Sequence, residues 1–288
     1  MSPVVDAHQH FWDLEANRYP WLQEEPPIAF RYGDYSRLRR SYLPEHLRAD
    51  AAPHGVVKTV HVEAQWDPAD PLGETRWLTG LAAGHGIPNA IVAQAWLDRD
   101  DVAEVLAAQA AFPLVRGVRH KPRQGAMREA RWRRGYALLE KHRLHFELQA
   151  PWSELYDAAE LASAYPRTAL VLNHAGLPAD RSPEGLEGWR RAMRALAECP
   201  NTSVKISGLG VPGRAWRVAD NAPVVLDAIA IFGAGRCMFA SNFPVDSLVA
   251  SYGTIMGGFR EIVSGLPRAD RARLFWENAQ RVYRLEER

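Results

Sequence analysis

Cysteine is nearly absent: Cys199 and Cys237 are the only two in 288 residues, far apart and without the short spacing of a zinc knuckle or a redox pair. That excludes a disulfide-stapled scaffold and leads us to expect a reduced, cytoplasmic setting. Charge of one sign is not in excess either. With 35 basic and 34 acidic residues the formal net charge is +1, so neither nucleic acid nor an anionic membrane surface is an expected partner. No apolar run approaches a membrane span, and no basic segment followed by an apolar core opens the chain, so the expectation is a soluble protein. No glycine-rich phosphate loop follows any candidate strand, which argues against a doubly wound nucleotide-binding sheet.

What the chain does have is a substantial apolar fraction, 47%, in a repeating pattern. Short β-branched runs fall at Pro3–Ala7, Val57–Ala64, Ala90–Leu97, Leu114–Arg119, Leu144–Gln149, Thr168–Asn173, Thr202–Ser207 and Cys237–Ala240. Between them lie stretches of helical spacing: Leu72–Gly86, Asp101–Ala111, Ala130–His142, Trp152–Tyr165, Glu184–Glu198, Asn221–Phe232 and Ser247–Leu266. Gly86-Ile87-Pro88, Cys199-Pro200-Asn201 and Gly233-Ala234-Gly235 each punctuate a helix before a strand. Strand and helix in regular alternation predict an α/β fold, a (β/α)₈ TIM barrel formed as one domain over residues 1–288. Residues 11–55 form a long aromatic insert after the first strand, with Phe11, Trp12, Tyr19, Trp21, Phe30, Tyr32, Tyr35 and Tyr42. Both a lid over the barrel mouth and packing against the outer helices suit such rings. The loop Gly208–Gly213 is expected at the same mouth. The basic stretch from Arg116 to Arg134 reads as solvated loop and helix face, apart from Arg119.

In such a barrel, polar residues at the carboxyl ends of the strands share one pocket. The first strand runs into Asp6-Ala7-His8-Gln9-His10, and strict alternation would put Asp6, His8 and His10 on one face. Imidazoles one pleat apart can converge on a metal ion or polarise water. Later strand ends supply His61, Glu63 and Gln65, then Gln94, Arg119, His120, Glu147 and Gln149. Asn173, His174, Lys205, Ser207, Ser241, Asn242 and Asp246 complete the set. Burying so many polar groups is costly unless they have partners or a task.

Val5-Asp6-Ala7-His8-Gln9-His10, Leu172-Asn173-His174-Ala175-Gly176, Phe239-Ala240-Ser241-Asn242-Phe243-Pro244 and Asn278–Leu285 occur in that order. Together they resemble the amidohydrolase-related TIM-barrel hydrolases, in particular their lactonase-like branch. The resemblance implies that His8, His10 and His174 bind a divalent metal, zinc at a single site at most, or act on the substrate directly without one. It also implies an aspartate as base and ligand where this chain has Asn242. An amide oxygen ligates weakly and carries no basic group, so Asp246 and Glu63 become the candidate bases. Arg119, Gln149, Gln65, Trp12 and Asn242 are the candidate substrate contacts; Arg119 reads equally as the ion-pair partner of Glu147 or Asp246. The expected activity is hydrolysis of a small cyclic ester by metal- or histidine-assisted water attack. A metal-dependent decarboxylase of an aromatic or unsaturated acid, and a ligand-binding member with reduced catalysis, are the alternatives. A small-molecule substrate is the expected partner, and a homo-oligomer is compatible with the sequence.

Overall fold

The computed structural model describes residues 3–285. Strands β1 (Val4–Gln9), β2 (Val56–Val62), β3 (Ala90–Gln94), β4 (Val115–His120), β5 (His145–Leu148), β6 (Leu170–Leu172), β7 (Thr202–Ile206) and β8 (Cys237–Phe239) pair in sequence order. Every ladder is parallel. Helices Gly73–His85, Val102–Ala110, Ala130–Lys141, Leu155–Ala164, Pro183–Ala197, Val218–Phe232 and Tyr252–Ile262 alternate with the strands or follow β8. This is the (β/α)₈ barrel. Its strands are buried nearly throughout because they are covered by helices outside and by side chains inside. None of the helices of the described residues is long and apolar enough to cross a membrane.

The barrel interior is divided along its axis. At the amino end Val5, Ala7, Val60, Val62, Ala90, Val92 and Met238 pack with Ala279 and Tyr283 of the closing helix Asn278–Tyr283. Toward the carboxyl ends of the strands the buried residues become polar, and these include His8, Glu63, Arg119, Glu147, His174, Lys205 and Asn242. The aromatic insert is packed onto this end. Trp12, Tyr19, Trp21, Tyr35 and Tyr42 are buried. The Trp12 indole donates to Arg40 O at 2.7 Å and that of Trp21 to Ala64 O at 2.8 Å.

β1 departs from simple alternation. Asp6 pairs with Thr59 and Gln9 with His61, so one extra residue is accommodated between them. A bulge of this kind re-aims side chains. Asp6 turns to Ser241 and Tyr252, whereas His8 reaches Arg119 of β4 and Lys205 of β7 across the interior. The expectation that Asp6 and His8 share a face is corrected by that bulge. β1 also continues to Gln9, past the expected end at Ala7, because the bulge restores its pairing.

The barrel closes between β1 and the residues just after β8. His10 N donates to Phe243 O at 2.7 Å and Asn242 N to His8 O at 2.8 Å. Asp6 accepts from Ser241 N at 2.9 Å, Ser241 Oγ at 2.6 Å and Tyr252 OH at 3.1 Å. The Asp6→Ala variant would strand these buried donors, each worth about 1–3 kcal/mol when left unpaired. We expect a loss of about 2–4 kcal/mol in urea unfolding; a loss below about 1 kcal/mol would show that the seam does not depend on this carboxylate.

Candidate active site

The site rests on a buried charge pair. Lys205 Nζ donates to Glu147 Oε2 at 2.6 Å. Asn173 Nδ2 donates to the same oxygen at 2.8 Å, and Tyr283 OH to Glu147 Oε1 at 2.7 Å. Burial alone would raise the Glu147 carboxyl, but Lys205 and His145 hold it well below the ordinary carboxylate range. Burial lowers the Lys205 amine to about 8 against the pull of Glu147. A pair this deep is tolerated because its remaining hydrogen-bonding positions are filled.

His8 lies above this pair, its Nδ1 3.5 Å from Lys205 Nζ and its Nε2 3.4 Å from Arg119 Nη1. Burial, then the charges of Lys205 and neighbouring groups, keep it neutral, with its pKa well below 6.5. Arg119 is locked in turn by Glu63: Nε donates to Oε1 at 2.6 Å, and Nη2 to the Glu63 carbonyl. Its Nη1 also donates to Gln149 Oε1 at 3.1 Å. The ion-pair reading of Arg119, which stands beside its reading as a substrate contact, is corrected in its partner: Glu63 takes the place of Glu147 and Asp246, which are held by Lys205 and Arg31.

His10 and Asn242 form the most distinctive contact. His10 Nδ1 is 2.7 Å from Val62 O, an acceptor only, so Nδ1 carries the proton and Nε2 of the neutral ring is a lone pair. Asn242 Nδ2 donates to Asp246 Oδ1 at 2.6 Å, which turns Asn242 Oδ1 toward His10. Two acceptors therefore face each other at 3.3 Å. Asn242 adopts a left-handed backbone, φ 56°, which asparagine tolerates better than most residues. Asp246 stands behind, also accepting from Tyr32 OH at 3.0 Å and Arg31 Nη2 at 3.3 Å. Burial raises its carboxyl pKa.

His174, with φ 54°, places Nδ1 2.9 Å from Ser207 Oγ. Gly208 is required beside it: at φ +60°, an added Cβ would lie 2.7 Å from His174 Nδ1 and 2.8 Å from Arg31 Nη2. A cavity of about 240 Å³ is lined by His10, Trp12, Arg31, Gln65, Arg119, Lys121, Gln149, His174 and Asn242.

Most of the expected site residues are thus together. His8 lies beneath, its ring centroid 4.9 Å from His10 and 4.7 Å from His174. Glu63 has Oε1 on Arg119 and Oε2 accepting from Gln65 N at 2.8 Å, and Asp246 faces Asn242 rather than the cavity. His61 Nδ1 accepts from Phe11 N, and His120 Nδ1 from Leu97 N and the Trp132 indole, so neither ring joins the cluster of His8, His10 and His174. Sequence reading missed Arg31, which carries no signal within the insert. It also assigned Lys121 to solvent, although its position directly after β4, two residues beyond Arg119, was the available clue.

Among the described residues no group of three or more His, Cys, Asp and Glu side chains is arranged to hold a metal ion. His8 is bracketed by two cations, and the residue opposite His10 is an amide rather than a carboxylate. Fixed positive charge beside a ligand opposes a divalent cation. His8, His10 and His174 do not fit a resident zinc as a preformed set.

Comparison with known proteins agrees with the barrel. Residues 5–285 match the model of the amidohydrolase family. The chain is 40% identical to the uncharacterized protein y4mH of Sinorhizobium fredii, over 98% of both chains. It is 31% identical to an L-fucono-1,5-lactonase of Burkholderia multivorans, over 98% of this chain and 96% of that one. An amidohydrolase from Burkholderia multivorans superposes with TM-score 0.84 at 29% identity in a crystal with bound HEPES, covering 99% of this chain and all (100%) of that one. A second crystal, with bound zinc, gives TM-score 0.82 at 28% identity over the same shares, 99% and 100%. The chain belongs to the amidohydrolase family and is a hydrolase.

The Lys205–Glu147 pair gives a test free of any substrate. Lys205→Met leaves a buried carboxylate without its counter-ion and is expected to cost about 3–5 kcal/mol in chemical unfolding. Adding Glu147→Gln removes that charge and should recover much of the loss. Additive losses in the double variant would show that the two side chains are not coupled.

Proposed function

We propose that this hydrolase opens a small lactone by attack of a water held between His10 Nε2 and Asn242 Oδ1. The facing acceptors at 3.3 Å carry the reading, because only a donor relieves them and water supplies one. As the water oxygen bonds to the lactone carbonyl carbon, its proton passes to His10 Nε2. The imidazolium then donates through Nδ1 to Val62 O and through Nε2 to Asn242 Oδ1, so both contacts become favourable as charge develops. Interactions stronger in the transition state than in the resting site are those that accelerate reaction. The carbonyl oxygen, becoming an oxyanion, is met by the Arg119 guanidinium, which Glu63 and Gln149 hold in place, and by His174. When the ring C–O bond breaks, His10 returns the proton to the departing oxygen, leaving a hydroxy acid.

In this scheme Glu63 and Asp246 position Arg119 and Asn242 and do not take the proton themselves. The lactonase-named relative supports the substrate class, and the acceptor pair favours hydrolysis over decarboxylation, which needs no attacking water. No step requires a metal, in keeping with the poor fit of the donors.

The experiment is a panel of 1,4- and 1,5-sugar lactones assayed by acid release after dialysis against EDTA. The wild type is expected to turn over at least one, and His10→Gln to reduce kcat at least about a hundredfold while remaining folded. Failure to open any lactone, or activity that vanishes with EDTA and returns with zinc, would overturn the reading.

The pH profile follows from the site's charge. Burial and Arg119 hold His10 well below 6.5, and the neutral ring is the active form. The rate should therefore stay level as pH falls through 6.5 and decline about tenfold per unit only in stronger acid. Asn242→Asp puts a carboxylate beside His10, favouring its protonated form, and should move that acid limb upward. An unmoved limb would mean that His10 is not the group titrated.

A further inference from the structure

A second cavity, of about 810 Å³, adjoins the first. The two share Trp21, Ile28, Gln65, Arg119 and Lys121 in their walls, so Lys121 stands at the junction. Trp66 and Trp96 line the far side of the larger space, flat faces suited to the body of a sugar or another ring.

The cations around this junction differ in whether they are paired. Arg31 is paired with Asp246 and Arg119 with Glu63; at the outer edge Arg123 is paired with Glu129. Among the described residues Lys121 has no hydrogen bond or ion pair. It is only partly exposed, and burial followed by the Arg119 charge lowers its amine to about 8. An ammonium drawn out of water without a counter-ion is unfavourable, and a ligand that brings the missing negative charge removes that cost. Glu24, Glu25 and Asp98 also line the larger space; Glu24 and Glu25 pair with Arg18 and Arg39, and Lys121 is left as the cation between the two cavities that no described carboxylate reaches.

We propose that Lys121 binds a carboxylate carried by the substrate outside its lactone ring, so that the preferred substrate is an anionic lactone spanning both cavities. The inference rests on the lactonase reading and names its substrate class. The carboxylate made by ring opening forms at the reacting carbon and is common to every lactone. Only a substituent carboxylate separates one lactone from another.

A matched pair of probes tests this: D-glucaro-1,4-lactone and D-glucono-1,4-lactone, which differ only in a carboxylate against a hydroxymethyl group. The full chain is expected to prefer the carboxylated lactone through a lower KM. Lys121→Met should reduce the ratio of the two kcat/KM values about 10- to 100-fold, the scale of a charge-assisted hydrogen bond, and Lys121→Arg should retain most of it. Lys121→Gln carries the same test should the methionine variant not fold. An unchanged ratio, or equal losses on both lactones, would overturn the proposal.

Calorimetric titration with D-glucarate separates the anion site from the lactonase activity. If neither lactone is opened but D-glucarate binds the wild type at least about tenfold more tightly than Lys121→Met, the lactonase reading fails and the anion site stands. Equal binding to both proteins, or no binding to the wild type, overturns the anion site whatever the turnover.

Discussion

The hydrogen-bonded seam between β1 and the segment after β8 is the constraint on which the rest depends. Any parallel barrel must join its last strand to its first, and here the junction is made by residues of the site itself. His8 O accepts from Asn242 N, and His10 N donates to Phe243 O. The backbone that closes the barrel thereby fixes where the His10 ring and the Asn242 amide stand. The bulge in β1 matters for the same reason: it sends Asp6 outward to clamp Ser241 and sends His8 inward to the charges. The geometry of the candidate site and the closure of the barrel are built from the same backbone.

Around that seam the protein keeps its imidazoles neutral. Buried histidines beside Arg119, Lys205 and Arg31 resist protonation, and those cations are themselves held by Glu63, Glu147 and Asp246. A neutral base next to a fixed cation suits ester hydrolysis: the ring can accept a proton while the guanidinium faces the developing oxyanion. The same arrangement disfavours a divalent ion at His8. Asn242 is then no defect of a metal site, since an amide can point one oxygen at His10 and one nitrogen at Asp246, which a carboxylate cannot do.

The fold was legible because its signals are local and repeated. Apolar strand runs, helical spacing and glycine punctuation all recur along the chain, and every expected strand is found. His8, His10, His174 and Asn242 were legible through their motifs. What could not be read was pairing across the barrel. Glu63, Glu147 and Asp246 are equivalent carboxylates in sequence, and only the strand order and register put Glu63 against Arg119 and Glu147 against Lys205. The bulge was hidden because alternation of Asp6, His8 and His10 looks the same with or without it. Lys121 was concealed by its basic neighbours, several of which do lie at the surface.

The proposed water stands between two acceptors, His10 Nε2 and Asn242 Oδ1. A crystal structure at a resolution that orders solvent, with anomalous data collected at the zinc edge, tests it most directly. One oxygen is expected within hydrogen-bonding reach of both His10 Nε2 and Asn242 Oδ1, with no anomalous peak there. A zinc peak ligated by His8, His10 and His174, or an Asn242 amide turned to donate to His10, would contradict it.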